Sequence, residues 1–391
     1  MRLKKYEHTI YASYMGYITQ AIVNNFAPLL FLTFANDFNL TLDQITFITT
    51  INFAVQLTVD LLAAKYVDRI GYRCAVVAAH IFSAAGLLGM AFLPGLFSNS
   101  YLGLLIAVVL YAVGGGLIEV LISPIVEACP TDKKEGAMSL LHSFYCWGHL
   151  AVVLFSTLFF NLRGIENWKT LSCMWALVPL FNVFYFSVVP LYPIVSGHEK
   201  MSFQTLVSQK TFWLFLLIMI CAGASEQSMS QWASAFAESG LKVSKTAGDL
   251  AGPCAFALFM GTARAIYGKY SHRIPLKKMM MGSAVLCIIC YLIASLSPNP
   301  LFGLMGCALC GFSVGIFWPG TFSTAAAALP NAGTAMYALM ALAGDVGCSA
   351  GPTVVGLIAH TNGGNLQTGL GLASIFPLVI FAGIGFLHKN N

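Results

Sequence analysis

Twelve stretches of roughly 20 or more consecutive, mainly apolar residues run the length of this chain, each long enough to cross a hydrocarbon core of about 30 Å as a helix. Lipid leaves few options for such a chain. Every backbone N–H and C=O must be satisfied from within, and only helices and closed barrels manage that. A barrel would alternate apolar and polar residues over segments of about ten, whereas these runs are continuous and longer. The expectation is an all-α membrane protein with twelve transmembrane helices. Composition agrees, with 9% charged residues against about a quarter in soluble domains.

The placement of charge gives the topology. With the N-terminus inside, only Arg163, Lys169, Lys242 and Lys245 of the 20 Lys and Arg residues fall in external loops, and Arg264 falls within a helix. The remainder lie on the cytoplasmic side, which predicts that both termini are cytoplasmic. The formal charge of +5 is then a topology signal, and no nucleic-acid partner is needed to explain it. Arg2, Lys4 and Lys5 resemble the basic start of a signal peptide, but the run that follows is too long and carries Gln20, Asn24 and Asn25. It reads as a retained first helix. Short loops lead to the expectation of a monomeric, multi-pass protein of a cell inner membrane, with the lipid bilayer as its surroundings.

Two motifs that would mean chemistry elsewhere lose that meaning here. Cys287, Cys290, Cys307 and Cys310 have a zinc-like spacing, yet each pair lies in an apolar span with no charged or imidazole support. No metal and no cofactor are expected. Gly311-Phe-Ser-Val-Gly315 matches a nucleophile elbow, which requires a strand-to-helix turn; inside a helix it reads as a small-residue packing face. The chain is not expected to be an enzyme.

The stretch Ala64-Lys-Tyr-Val-Asp68-Arg69-Ile-Gly71-Tyr-Arg73 returns in altered form as Gly268-Lys-Tyr-Ser-His-Arg273-Ile-Pro. Each copy follows the second helix of a six-helix set. This divides the chain into residues 1–190, a cytoplasmic linker 191–210, and residues 211–391, and makes it a duplicated unit. Two parallel six-helix halves are the architecture of major facilitator transporters. The first copy resembles the loop motif of that superfamily at Asp68, Arg69, Gly71 and Arg73, while Ala64 departs from its leading glycine. The second copy keeps a glycine at Gly268 but has His272 at the acidic position. The resemblance implies two pseudo-symmetric six-helix bundles and a gating role for Asp68, Arg69, Gly71, Arg73 and Arg273. A charged turn that only sets topology is the plainer alternative.

Ionisable groups inside spans are costly and are by default functional candidates. Counting along the helices at about 1.5 Å per residue, Asp60, Glu119, His149 and Asp345 fall near mid-membrane, and Glu226 somewhat further out. Asp60 and Arg264 hold equivalent places in the two repeats with opposite charge, which suits either a proton-coupled switch or simple pairing between helices. The stretch around Glu226 places Ser230 on its face, and Gln227 with Gln231 on another, by the i to i+4 rule. The polar groups Gln20, Asn24, Asn25, Glu119, Ser123, Glu226, Gln227 and Ser230, with the indoles Trp232 and Trp318, suit a sugar-like solute. The two tryptophans fit interfacial or core packing equally well. The spacing of Glu226 and Trp232, the stretch before Glu119, and Arg264 look similar to the fucose/galactose/proton symporter branch. That resemblance implies a small-molecule solute and proton coupling through Glu226, Glu119, Asp60, Asp345, Arg264 and His149, with sodium as the other ion to test.

The expected activity is secondary transport by alternating access, as proton-coupled symport of a small polar solute. The alternatives are a proton-coupled exporter of drugs or metabolites, because Gly347-Cys-Ser-Ala-Gly351-Pro352 resembles an antiporter stretch, and a sensor that binds without transporting.

Overall fold

The computed structural model describes residues 5–131, 134–192, 203–270, 275–329 and 332–389. These residues contain no strand. Among them, twelve helices are long and apolar enough to cross a bilayer: α1 (Tyr6–Phe38), α2 (Leu42–Ala63), α3 (Tyr72–Leu96), α4 (Ser100–Val126), α5 (Leu140–Arg163), α6 (Ile165–Val188), α7 (Lys210–Gly240), α8 (Lys245–Tyr267), α9 (Leu276–Leu296), α10 (Pro300–Ala325), α11 (Leu339–Thr361) and α12 (Leu366–Leu387). The chain divides into two compact units, Met1–Ser196 and Gly197–Asn391, with six spans in each. The segment between α6 and α7 carries a six-residue helix, Phe203–Ser208.

Local sequence sets where the helices begin. At α2 the Thr41 N–H donates to Gln44 Oε1 at 3.0 Å, one arm of a capping box that satisfies donors left over at a helix start. The duplication is visible in the caps of α4 and α10, which hold the same place in their six-helix sets. Asn99 accepts from the Tyr101 N–H at 3.1 Å and Asn299 from the Leu301 N–H at 2.9 Å. Asn365 does the same for α12, accepting from Gln367 at 3.0 Å.

Several spans are interrupted where hydropathy shows no interruption. In α1 the helix stops at Asn25, makes a 3-10 turn over Ala27–Leu30 around Pro28, and resumes at Phe31, because proline removes a donor and clashes with the preceding turn. A π turn closes α7 at Phe236–Gly240, and another, containing Pro253, lies in α8 at Leu250–Cys254. The first helix of α10 ends at Val314 and the second begins at Phe317.

Lipid is as apolar as leucine, so helices associate in a membrane through close packing and polar contacts. Both devices are present. In the second unit a Cβ on Gly347 would collide with the Ile220 carbonyl, and one on Gly351 would lie 2.7 Å from Ala224 Cα, so the glycine stretch of α11 is the surface that seats it on α7. Gly311 meets the Phe256 backbone in the same way, which gives the elbow-like motif its packing role. In the first unit the buried Asn182 of α6 donates to the Ala12 carbonyl of α1 at 3.0 Å and lies 2.8 Å from His80 Nε2 of α3. Three helices are tied at one point.

Candidate functional site

In the first unit α1 and α4 run past each other as a polar ladder. Gln20 Nε2 donates to Glu119 Oε2 at 2.6 Å, a charge-assisted distance. One turn away on the same helices the Tyr17 and Ser123 hydroxyls are 3.0 Å apart. Gln20 is 3% exposed, and its Oε1 is enclosed with no hydrogen-bond donor among the described residues. A buried acceptor without a donor is unusual.

Asn24, a turn further along α1, accepts from Gln56 Nε2 at 2.8 Å and Asn52 Nδ2 at 3.2 Å, while Gln56 also donates to Asn52 at 3.0 Å. Asn25 donates to the Ala21 carbonyl at 2.9 Å and to the Tyr145 hydroxyl at 3.3 Å. Asp60 is half-buried one turn beyond Gln56 on α2, so Asn52, Gln56 and Asp60 follow each other on one helix face. His149 is buried on α5, next to Gly148, which seats against Ile18 and Ala21 of α1.

In the second unit an ion pair joins neutral amides and hydroxyls. Glu226 Oε2 on α7 lies 3.7 Å from Arg264 Nη2 on α8. Arg264 Nε donates to the Gly315 carbonyl at 3.3 Å, so the guanidinium reaches the break in α10, where the helical bonding pattern is interrupted. Ser230 is buried on the Glu226 face, and Gln231 donates to Gln227 at 3.1 Å. Asp345 is buried on α11.

The two tryptophans differ. Trp232 is fully buried, and its indole N–H donates to the Pro352 carbonyl at 2.9 Å, an anchor between α7 and α11. Trp318 is half-buried and lays its ring against Gly344.

At the turn after α2, whose helix continues to Ile70, Gly71 has φ of 89°, a conformation that glycine adopts without a Cβ penalty. Arg73 donates from Nη1 to the Phe186 carbonyl at 2.6 Å and from Nη2 to the Val189 carbonyl at 2.8 Å. It therefore covers carbonyls left over at the C-terminal end of α6. The side chains of Asp68 and Arg69, and Arg273 entirely, lie outside the described residues.

Sequence reasoning missed Tyr17, Asn52, Gln56 and Tyr145. Asn52 and Gln56, four apart in an apolar helix, could have been found by the criterion that selected Gln227 and Gln231.

The family model for the Major Facilitator Superfamily matches residues 13–352. The fold is similar to that of a bacterial homologue of the human lysosomal transporter Spinster in an inward-facing and occupied conformation. That likeness has 14% identity, covers 99% of this chain and 98% of the other, and has a TM-score of 0.77. It is also similar to the E. coli fucose:proton symporter FucP, at 15% identity over 98% and 99% of the two chains with a TM-score of 0.66. FucP in its outward conformation gives 16% identity over 96% and 98%, with a TM-score of 0.65. No curated protein sequence matches.

Proposed function

The chain belongs to the major facilitator superfamily of membrane transporters, and on that premise we propose that it carries a small hydroxyl-bearing solute, a sugar or sugar derivative, together with a proton. The observation that carries this reading is the pairing of Glu226 with Arg264 inside the span, 3.7 Å apart. A carboxylate and a guanidinium removed from water are stable as a pair and costly apart. Protonating Glu226 removes one charge and frees Arg264 to find another partner. The arrangement is a switch operated by one proton. A guanidinium at that distance also opposes a second fixed cation, which favours a proton over sodium.

Recognition would fall to Gln20, Glu119, Asn24, Asn25 and Ser123, with Gln227, Ser230 and Trp318 in the second unit. Amides and hydroxyls offer both donors and acceptors, as a polyol requires. Alternating access would then expose the loaded solute to each side in turn, in a protein of a cell inner membrane with both termini inside. The exporter alternative leaned on Gly347 to Pro352, and those glycines have a packing explanation.

The test is uptake of a panel of labelled sugars into proteoliposomes with and without an inward proton gradient. Accumulation of one sugar only when the gradient is present is the expected result. Solute-induced proton release without sugar uptake would assign the protein to export.

A further inference from the structure

A second set of ionisable groups lies at the C-terminal end of α7 and the start of α8, and none of its members has been assigned a role above. Asp249 is 1% exposed, and its Oδ2 lies 3.1 Å from Lys245 Nζ. Lys245 also lies 3.9 Å from Glu238 Oε2, which is more open to solvent. Ser234 on α7 donates to Asp249 Oδ1, and Lys245 Nζ lies 3.4 Å from the Ser234 hydroxyl. Cys254, further along α8, is close enough to Asp249 for the two to interact electrostatically. Both π turns among the described residues flank this cluster, and π turns within α-helices are frequent at functional positions.

Position along α7 connects this cluster to the proposed switch. Glu226, Ser230 and Ser234 follow at four-residue intervals, and all three are buried. Successive members of such a file lie about 5–6 Å apart at Cβ, close enough for one water to bridge each gap, and a hydroxyl both donates and accepts. The bland account is that Lys245 and Asp249 merely staple the helix ends. A staple does not need a line of buried hydroxyls leading from it to a second ion pair.

We propose that Asp249, with Ser234 and Ser230, forms the proton path to Glu226, and that Glu238 and Lys245 hold its mouth. A proton taken from bulk water at the α7 C-terminal end protonates Asp249. Asp249 passes it through the Ser234 and Ser230 hydroxyls, each giving one proton as it receives another. It ends on Glu226, which becomes neutral and releases Arg264, while Asp249 returns to its pair with Lys245. The groups facing Asp249 are thus Lys245, Glu238, Ser234 and Cys254, and the charge facing Glu226 is Arg264. This inference rests on Glu226 being the coupling carboxyl.

The experiment is pH-jump infrared difference spectroscopy on the full chain in lipid nanodiscs, following carboxyl C=O bands and using protons alone as the probe. Glu226→Gln identifies the Glu226 band by its loss. Asp249→Asn and, separately, Ser234→Ala should slow the appearance of that band by roughly a hundredfold, the low end of what a positioned proton-transfer group contributes, without reducing its final size. Asp249→Glu should restore the rate, which a structural staple would not require. Ser234→Ala leaves the Lys245 pair intact, so the test survives if Asp249→Asn fails to fold. If the Glu226 band is present and its rate is unchanged in both Asp249→Asn and Ser234→Ala, the path is overturned and the coupling role of Glu226 stands. If Glu226→Gln removes no band, the coupling role falls and the path falls with it.

Discussion

The polar interiors of the two units are built from different chemistry. In the first unit amides and hydroxyls predominate around Glu119: Gln20, Asn24, Asn52 and Gln56 bond one another or that carboxylate at 2.6–3.2 Å. In the second unit ion pairs are central, Glu226 with Arg264 and Asp249 with Lys245. Neutral amides read hydroxyl groups by direction and keep their character across physiological pH. Ion pairs change state when one proton arrives. The two halves thus differ in what holds their polar interiors together, amide bonds around a carboxylate in one and ion pairs in the other.

The largest effect should come from breaking the switch. Glu226→Gln is expected to abolish gradient-driven accumulation while sparing solute exchange in counterflow, since exchange needs no net proton movement. Unchanged accumulation would remove the second unit from coupling. Arg264→Ala leaves a buried carboxylate uncompensated and should cost about 3–5 kcal/mol of stability, whereas Glu226→Gln with Arg264→Gln recovers most of it. Thermal unfolding in detergent reads both.

The complementary change in the first unit should act on recognition. Gln20→Leu removes the buried Oε1 acceptor offered to the solute, and a neutral hydrogen bond is worth about 0.5–1.5 kcal/mol. That corresponds to a rise in the KM for the transported sugar of roughly twofold to tenfold, with the proton-to-solute ratio unchanged. A changed ratio with an unchanged KM would move Gln20 from recognition to coupling.

Much of this was legible in the sequence, and the parts that were not have a common cause. Twelve spans follow from apolar run length, and the duplication follows from the repeated Lys-Tyr-x-x-Arg-Ile stretch. The breaks in α1, α8 and α10 do not show in hydropathy, although Pro28 and Pro253 mark the first two. Glu226 and Arg264 were each visible as charges in lipid, and their partnership required the fold, as did that of Gln20 and Glu119, 99 residues apart. Trp232 shows the limit most plainly. An indole beside a polar face suggests a sugar platform, and only the approach of the Pro352 carbonyl reveals that its N–H is occupied. Asp249 was missed for a different reason: Lys245 was assigned to an external loop, which hid its buried partner.

A smaller effect tests the packing on which the second unit's charges depend. Gly347→Ala places a methyl against the Ile220 carbonyl where α11 seats on α7, and overpacking of this kind costs about 1–3 kcal/mol. The thermal midpoint should fall while the KM for the transported sugar stays within error. A shift in KM at unchanged stability would mean that this seam belongs to recognition.

The smallest expected effect concerns Arg73, a charged group of the first unit that covers a helix end. Its guanidinium spans two carbonyls at the end of α6, Phe186 and Val189, a two-point contact that a planar fork makes and a lysine ammonium does not reproduce. Arg73→Lys keeps the positive charge near the helix end, so the dipole interaction survives, and about one hydrogen bond, near 1 kcal/mol, is lost. If Arg73 is only a cap, the variant unfolds slightly earlier and transports at the normal rate. If it belongs to a latch that must close and release in each cycle, turnover falls severalfold while the solute KM holds, and Asp68→Asn should produce the same pattern. The gating reading predicts the second result, and the kcat-against-KM split separates the two even where the stability change is too small to measure.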